Sequence, residues 1–561
     1  MRITKRWAVR PTQSDDLVEQ LLLNRGIRPA TREQFLAPDY ARDLHDPFSM
    51  KGMGEAVERV SRAVQSKEKV AIYGDYDADG TPGAALLADF FSQLGLPIQV
   101  FIPTRAQGYG LHVEAIKDLA KAGASLLITV DCGIRNAPEI AEAKKLGLDT
   151  IVCDHHLPSD ELPKANILDP KQQGDSYPFK ELCGAGVAFK LAQAIAAKAA
   201  TMEKNLSASE LQKFLKWEMD LVGLATIVDM VPLIGENRVL AKFGLIALQK
   251  TRRLGLQKLY EVTGIDPPSI KTYAVSFLIG PCLNAAGRMD HATQSYYLLT
   301  EKNPEKAALL ANELNDINHR RQQLLEKVLR ETKQRVEKEK LYKRKIIVVA
   351  GEGWPHGIVG LVAGKLMDEY ARPALVISKE KIRSRGSARS IEAFHIVEAL
   401  DHCQEYLLRY GGHAQAAGFS LETKHLSALY DKLLEYAEGK LTDEDLVPTL
   451  TADAELPFEA IDQDLVAAMT QFEPHGLGNP RPHFISRDGL VQQVRAVGTN
   501  GHHLKLTVSG KEAIAFDLGE LAHEIVAGDV IDLIYSVEEN IWNGRSSVQL
   551  KVLDIKKSGL E

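Results

Sequence analysis

Five short runs rich in Val and Ile recur along the first half of the chain. They are VAIYGD (70–75), IQVFIP (98–103), LLITVD (126–131), TIVCD (150–154) and ANILDP (165–170). They stand about 20–30 residues apart with helix-like segments between, the pattern of βαβ units and a parallel sheet. In such sheets chemistry gathers at the carboxyl ends of the strands. Asp75, Asp131 and Asp154 all fall there.

The remainder divides by pattern. Residues 305–350 contain neither Gly nor Pro, and their charge and periodicity predict one connecting helix of roughly 35 residues, on the order of 50 Å long. A second α/β segment follows, through KIIVVAGEG (345–353), RPALVIS (372–378) and GGHAQAAGFSL (411–421). After Pro448, alternating runs such as HHLKLTVSG and SVQLKVLDI predict a small antiparallel β-barrel. The expected division is 1–48 as an N-terminal segment, 49–265 as the parallel-sheet domain and 266–343 as a helical connector. A second α/β domain at 344–440 and the barrel at 448–558 follow.

At 561 residues and 45% hydrophobic content the chain is too long for one core. Its formal net charge of −7 lacks the basic excess that advertises nucleic-acid binding, although a local basic groove can sit on an acidic body. The five cysteines, Cys132, Cys153, Cys183, Cys282 and Cys403, form no CxxC pair, which fits a reducing compartment. No run reaches the ~18 apolar residues of a spanning helix, so a cytoplasmic location is expected.

The candidate chemistry lies in acids and histidines. GDYDADG (74–80) places Asp75, Asp77 and Asp79 in alternation after a strand. An EF-hand needs an acid at its twelfth position, which here is Leu86. The competing plain reading is a polar loop with Asp79 or Thr81 capping the next helix. Asp131 ends LLITVD, and Asp154-His155-His156 end TIVCD. Asp229 sits between apolar residues in LATIVDMVPLIGENR, where burial is costly unless the carboxylate is paired or metal-bound. Together these groups can hold two hard or borderline divalent ions, with mixed Asp/His ligation favouring Mn²⁺, or Mg²⁺ with some waters.

GDYDADG, TVDCG, DHH and TIVDMVPLIGENR resemble the four motifs of the DHH phosphoesterase superfamily. IPTRAQGYGL (102–111), GPCLNAAGRM (280–289), GSARS (386–390), GGHAQAAGFS (411–420) and EPHGLGNPRPHF (473–484) resemble the RecJ family within it. The resemblance implies an α/β multidomain fold: a parallel-sheet DHH domain, a long connecting helix, a DHHA1-type α/β domain and a C-terminal OB-fold β-barrel. It implies 5′-to-3′ hydrolysis of single-stranded DNA to mononucleotides, in repair and recombination, with Mn²⁺ or Mg²⁺. By the family pattern Asp75, Asp77, Asp131, His155 and Asp229 ligate metal, and His156 and Asp79 serve catalysis. Arg105, Tyr109, Asn284, Arg288, Ser387, Arg389, Gly412 and His413 contact nucleic acid. Ser387 and Arg389, read as a Gly-Ser turn, receive the strand's terminal phosphate. His502, His503, Lys505, Trp542 and Arg545 suit a DNA groove on the barrel. Single-stranded DNA is the expected partner, with a single-strand-binding protein or a helicase beside it, no membrane, and a monomeric state.

Three positions depart from the family pattern. Ala71 stands where many relatives carry His, Cys282 where the family has Arg, and WPHG (354–357) reorders a Trp-His motif around His356. If the Cys282 segment faces phosphate, Cys282→Arg is expected to tighten DNA binding.

Overall fold

The computed structural model describes residues 4–105, 107–198, 207–289, 292–542 and 545–559, without the side chains of 541, 542 and 545. Two compact units form. The larger joins Val9–Asn315 to Thr451–Glu561, and the smaller comprises Met1–Ala8 and Asp316–Leu450.

In the larger unit five parallel strands follow the five predicted runs. They are β1 (Lys69–Gly74), β2 (Ile98–Phe101), β3 (Ala124–Val130), β4 (Asp149–Cys153) and β5 (Asn166–Leu168), in the order β2-β1-β3-β4-β5. Continuous apolar runs are what a sheet covered on both faces requires, and β1 and β3 are buried along nearly their whole length. The register sets Gly74 beside Val130, Val130 beside Cys153 and Cys153 beside Leu168. The next residue of each strand is an aspartate: Asp75, Asp131, Asp154 and Asp169. Their backbones continue the ladder, with the amide of Asp75 donating to Val130 O, that of Asp131 to Cys153 O and that of Asp154 to Leu168 O. Four carboxylates therefore stand in one row at the carboxyl edge.

Two crossing helices, Met219–Val228 and Gly235–Gln249, bring in a fifth acid, Asp229, at the end of the first. They meet at Gly223 and Gly244, where a Cβ on Gly223 would lie 2.4 Å from the Gly244 Cα. No larger residue permits that approach.

The smaller unit carries the sheet β6 (Ile347–Glu352), β7 (Ala374–Lys379), β8 (Arg383–Arg389), β9 (Leu407–His413) and β10 (Ala416–Glu422), ordered β9-β10-β8-β7-β6. GSAR is thus part of a central strand rather than a turn. Ser387 pairs with Val376 on one side and Gly418 on the other, so its backbone belongs to the ladder. The long helix spans Pro304–Lys338, 35 residues as its periodicity predicts, and the boundary between the units falls within it.

The C-terminal strands are β11 (Ala454–Glu455), β12 (Phe484–Val497), β13 (His503–Val508), β14 (Lys511–Ala515), β15 (Val530–Trp542) and β16 (Arg545–Lys557). The last five close into a barrel because β12 pairs with both β13 and β15. The barrel is not wholly antiparallel as the alternation predicted, since β14 and β16 run parallel. Its core takes in Leu21, Leu22 and Phe35 from the N-terminal segment beside Phe472, Phe484 and Tyr535.

Arg238 ties the barrel region to the parallel-sheet region. It is 1% exposed, and its guanidinium donates to the carbonyls of Phe35, Gln471, Phe472, Glu473 and Pro474 while lying 4.0 Å from the Phe35 ring centroid. Its planar fork suits this crowd of acceptors as an ammonium does not. Arg238→Ala leaves the carbonyls without a donor, and equilibrium urea unfolding is predicted to show a loss of about 3 kcal/mol or more. Arg238→Lys is predicted to recover only part of that; full recovery would show that charge alone suffices.

Candidate metal centre and nucleic-acid contacts

The loop after β1 is built around Asp77. Its Oδ1 accepts from the amides of Asp79 and Gly80, so Asp77 braces the turn that leads into the helix Gly80–Gln93. Asp79 is turned elsewhere. Its two oxygens accept from the amides of Gly184 (2.6 Å) and Ala185 (2.8 Å), at the start of the helix Gly184–Lys198. Asp79 is 1% exposed. The oxygens of Asp79, for which a catalytic role is expected, are thus engaged by amides that anchor a helix beneath the site. Two glycines let these pieces close up. A Cβ on Gly80 would lie 2.4 Å from Asp75 N, and one on Gly184 would lie 2.6 Å from the Asp131 Cβ. Asp131 itself adopts φ 62°, a left-handed conformation that Asp tolerates better than most residues.

His155 Nε2 lies 3.1 Å from Asp131 Oδ1, 3.7 Å from Asp229 Oδ2 and 3.8 Å from Asp79 Oδ2. Ligand atoms converge in three overlapping groups: Asp75, Asp77 and Asp131; Asp79, His155 and Asp229; Asp131, His155 and His156. Burial, reinforced by the neighbouring carboxylates, raises the pKa values of Asp75, Asp131 and Asp229 well above the usual carboxylate range. Asp79 is pushed up to about 7, first by burial and then by Asp77. Burial, with His156 adding to it, pushes His155 down to about 4, so its imidazole is neutral at pH 7. Asp75 Oδ1 and His155 Nδ1 are buried without a hydrogen-bond partner among the described residues. Anionic oxygens crowded around a neutral imidazole, with orphaned polar atoms, are a donor set that fits divalent cations.

The aspartate opening the Asp154-His155-His156 triplet has a role that its motif alone did not specify. Asp154 is fully buried. Its Oδ2 accepts from the Ile134 amide, and its Oδ1 accepts from the amides of His155 and His156 and meets His156 Nδ1 at 2.8 Å. Burial alone would raise its pKa, but the His156 hydrogen bond and charge hold it below the ordinary value. The same contact raises His156 against the opposing effect of burial. An ionised Asp154 accepts a hydrogen bond from a protonated Nδ1 and leaves Nε2 as the nitrogen turned away from it. Tyr109 flanks the pair, its hydroxyl donating to Asp131 O and lying 3.0 Å from His156 Nδ1. Asp169, the fourth member of the row, went unremarked in the sequence, although it ends a strand as the others do. It is fully buried and pushed up to about 7, by burial foremost.

The expected DNA contacts of the larger unit assemble beside the Asp75–Asp79 loop. Arg105 is exposed, donates to Gly287 O and lies 4.8 Å from the Tyr76 ring centroid. Asn284 accepts from the Ala78 amide, and Arg288 follows one turn later on the helix Gly280–Met289. Cys282 on that helix is 1% exposed. The expectation that Cys282→Arg adds a phosphate contact is corrected, because the side chain is buried and leaves no exposed place for a guanidinium.

In the smaller unit Ser387 and Arg389 share the face of β8 opposite the buried Ser384, Gly386 and Ala388. The Arg389 guanidinium donates to Ala388 O and Ser387 Oγ, and burial lowers its basicity. Gly412 and His413 end the exposed edge strand β9. Gly412 has φ 153°, and its Cβ would lie 2.2 Å from Ala416 O. His356 contacts Glu380 at 2.9 Å. On the barrel, His503 packs on Phe516, and Lys505 pairs with Glu512 while lying opposite Arg495. His502 precedes β13; the side chains of Trp542 and Arg545 lie outside the described residues.

Comparison with known proteins agrees with this construction. Family models match in chain order: the DHH family N-terminal domain at residues 69–222, the DHHA1 domain at 343–439 and the RecJ OB domain at 452–554. The single-stranded-DNA-specific exonuclease RecJ of Bacillus subtilis is 39% identical over 546 residues, covering 96% of this chain and 67% of that protein. RecJ of Haemophilus influenzae is 32% identical, covering 91% and 92%. The crystal structure of Thermus thermophilus RecJ in complex with Mn²⁺ superimposes with a TM-score of 0.84 at 29% identity, covering 99% of this chain and 80% of that one. A RecJ exonuclease structure bound to manganese matches with a TM-score of 0.60 at 33% identity, covering 70% and 96%. Three domain matches in order, and relatives aligned over nearly the whole chain, place this protein in the RecJ family.

Proposed function

We propose that this chain is a metal-dependent exonuclease that hydrolyses single-stranded DNA from the 5′ end to mononucleotides. The observation that carries the reading is the row of strand-end aspartates with Asp229 and both histidines in place. A DNA-binding scaffold has no use for mutually repelling buried acids. A phosphodiesterase for short oligonucleotides or cyclic dinucleotides would not need the barrel.

Asp75, Asp77, Asp131, His155 and Asp229 would hold two ions, Mn²⁺ or Mg²⁺. When bound, such ions supply Lewis-acid polarisation of a phosphodiester and activation of water. His156, oriented by Asp154, presents Nε2 to the reacting phosphate and can hold or deliver a proton there. Arg105, Tyr109, Asn284 and Arg288 position the strand beside the acidic loop. Ser387 and Arg389 bind phosphate through side chains alone, since the strand backbone is committed to its sheet. Arg389 makes no ion pair with a carboxylate among the described residues, so its charge is available to an anion. Gly412 and His413 add contacts from the hairpin edge, and the barrel face with Arg495, His502, His503 and Lys505 extends the track. A single-strand-binding protein or helicase would present the substrate, and the chain would act as a cytoplasmic monomer.

The direct experiment follows a long single strand labelled at either end, with Mn²⁺ and with EDTA. Loss of a 5′ label as mononucleotide at the earliest times, abolished by EDTA, is the expected result. Cleavage restricted to dinucleotides would favour the small-substrate reading.

Two predictions concern the parts. Arg389→Ala should reduce the ratio of cleavage rates on 5′-phosphorylated over 5′-hydroxyl strands while metal affinity is unchanged. An unaltered ratio removes Arg389 from end recognition. The second concerns pH. Acids raised in the folded state stabilise it at low pH, and that contribution disappears as pH rises from the unfolded value of about 3.9 through the raised folded values. The metal-free protein should therefore melt at a lower temperature at pH 8 than at pH 5.5, and Mn²⁺ should restore stability at pH 8. Asp131→Asn should flatten the pH dependence, lose most of the Mn²⁺ gain and lower hydrolysis roughly a hundredfold or more. A full Mn²⁺ stabilisation in that variant would contradict the assignment.

A further inference from the structure

The amino ends of the parallel strands carry a feature that the nuclease reading does not use. A cleft of about 370 Å³ opens there between the helices Met53–Ser66 and Ala137–Lys145, across the starts of β4 and β5. That volume falls within the roughly 300–1,000 Å³ that small-molecule sites occupy. Strand β4 runs from Asp149 in the cleft to the residue before Asp154, which sets the cleft about 16 Å from the metal centre, at the opposite edge of the sheet.

Two buried polar side chains line the cleft with a hydrogen bond unmade. Arg59 is 8% and Thr150 9% exposed, and Arg59 Nη1 and Thr150 Oγ1 have no hydrogen-bond partner among the described residues. The rest of the Arg59 guanidinium is engaged: Nε donates to Asp149 at 2.5 Å and Nη2 to Glu68 at 2.7 Å. Those ion pairs fix the planar fork and leave Nη1 as its unused arm. A buried polar group without a partner is destabilising, and a ligand entering the cleft can supply what is missing.

The walls carry charges of both signs. Glu55, Glu58, Arg59 and Arg62 share one face of the helix Met53–Ser66, because residues three and four apart are neighbours. Glu55 follows one turn after Gly52, whose Cβ would stand 3.6 Å from Asn166 Oδ1 at the start of β5. Arg59 reaches Ser125 O near the start of β3. About 10 Å of helix separates Glu55 from Arg62. Lys144 and Lys164 add cations from the other walls, and Ile140, Leu148 and Ile151 supply apolar surface. Arg62, Lys144 and Lys164 are exposed, and neither they nor Glu55 and Glu58 form a salt bridge among the described residues.

We infer that this cleft binds a nucleoside monophosphate. The phosphate meets Arg62, Lys144 and the unused arm of Arg59 in charge-assisted contacts. Glu55 and Glu58 accept from the donor edge of the base, and the aliphatic side chains cover its ring. A bare inorganic anion would leave both carboxylates opposed to it with no donor between. A terminal phosphate carries about −1.5 to −2 at pH 7, more than an internal phosphodiester, which favours the monomer over a strand. That such a molecule is the enzyme's own product rests on the proposed hydrolysis to mononucleotides; the chemistry of the cleft does not. The site would let the chain hold product away from its metals.

The test is equilibrium dialysis of labelled deoxyadenosine monophosphate with the full-length protein in EDTA, so that binding is read without hydrolysis. Saturable binding is expected, weakened at least tenfold when the phosphate is removed (deoxyadenosine) or the base is removed (deoxyribose 5-phosphate). Arg62→Glu/Lys164→Glu, at two exposed positions, should weaken it at least tenfold with the melting temperature and the rate of single-strand hydrolysis in Mn²⁺ unchanged. Thr150→Val, which removes only the hydroxyl, should weaken it at least threefold without lowering the melting temperature. Glu55→Gln/Glu58→Gln should narrow the preference for the nucleotide over deoxyribose 5-phosphate. Absent binding in a protein that still hydrolyses single strands in Mn²⁺ would overturn this inference and leave the nuclease reading standing. Equal binding to the charge-reversed protein, or inorganic phosphate binding as tightly as the nucleotide, would also overturn it. So would binding that disappears in Arg389→Ala, which would place the nucleotide in the smaller unit instead.

Discussion

Repulsion among carboxylates held in register is the constraint around which the larger unit is arranged. The pairing of four parallel strands leaves Asp75, Asp131, Asp154 and Asp169 side by side, and the helix Met219–Val228 adds Asp229. Like charges so close in a poorly hydrated place raise one another's pKa values. The protein neutralises part of this burden itself. Asp79 is met by two helix amides, and Asp154 by three amides and the His156 imidazole. Asp75, Asp131 and Asp229 have no comparable set of protein donors among the described residues, and Asp169 keeps one oxygen without a partner there; on the proposed reading, cations relieve the first three. On the proposed reading, carboxylates satisfied by protein build the scaffold, and Asp75, Asp131 and Asp229 face metal.

The same division explains where the chain uses its smallest residues. Gly80 and Gly184 pack against Asp75 and Asp131 closely enough that any side chain would push the acids apart. Gly223 and Gly244 let two helices cross at backbone contact, which sets the position of Asp229. A few residues further on, Arg238 fixes the second of those helices to the carbonyls of residues 471–474. The metal centre and the barrel are thus linked by one short stretch of sequence, GENR, that serves packing rather than chemistry.

Much of this is legible in the sequence because strand ends and acids coincide. The parallel strands, the long helix and the ligand groups follow from periodicity and position. What remains hidden depends on register or on contacts distant in the chain. Nothing in GDYDADG distinguishes Asp77, which braces its own turn, from Asp79, whose side-chain partners lie more than a hundred residues away. GSARS carries turn-forming residues yet forms a central strand, because Gly386 makes room for the Phe419 ring and β7 and β10 supply both ladders. Cys282 occupies a position where a charged contact was expected, but its helix turns that side chain inward. The parallel pairing of β14 with β16 comes from closing the barrel, a global requirement that local alternation does not encode.

The central claim is that the unsatisfied carboxylates are a two-ion site. Calorimetric titration of Mn²⁺ into the metal-free protein at pH 7.5 tests it most directly. The account predicts two ions bound per chain, with protons released as the raised carboxyls ionise. Binding of one ion or none, or binding without proton release, would contradict it.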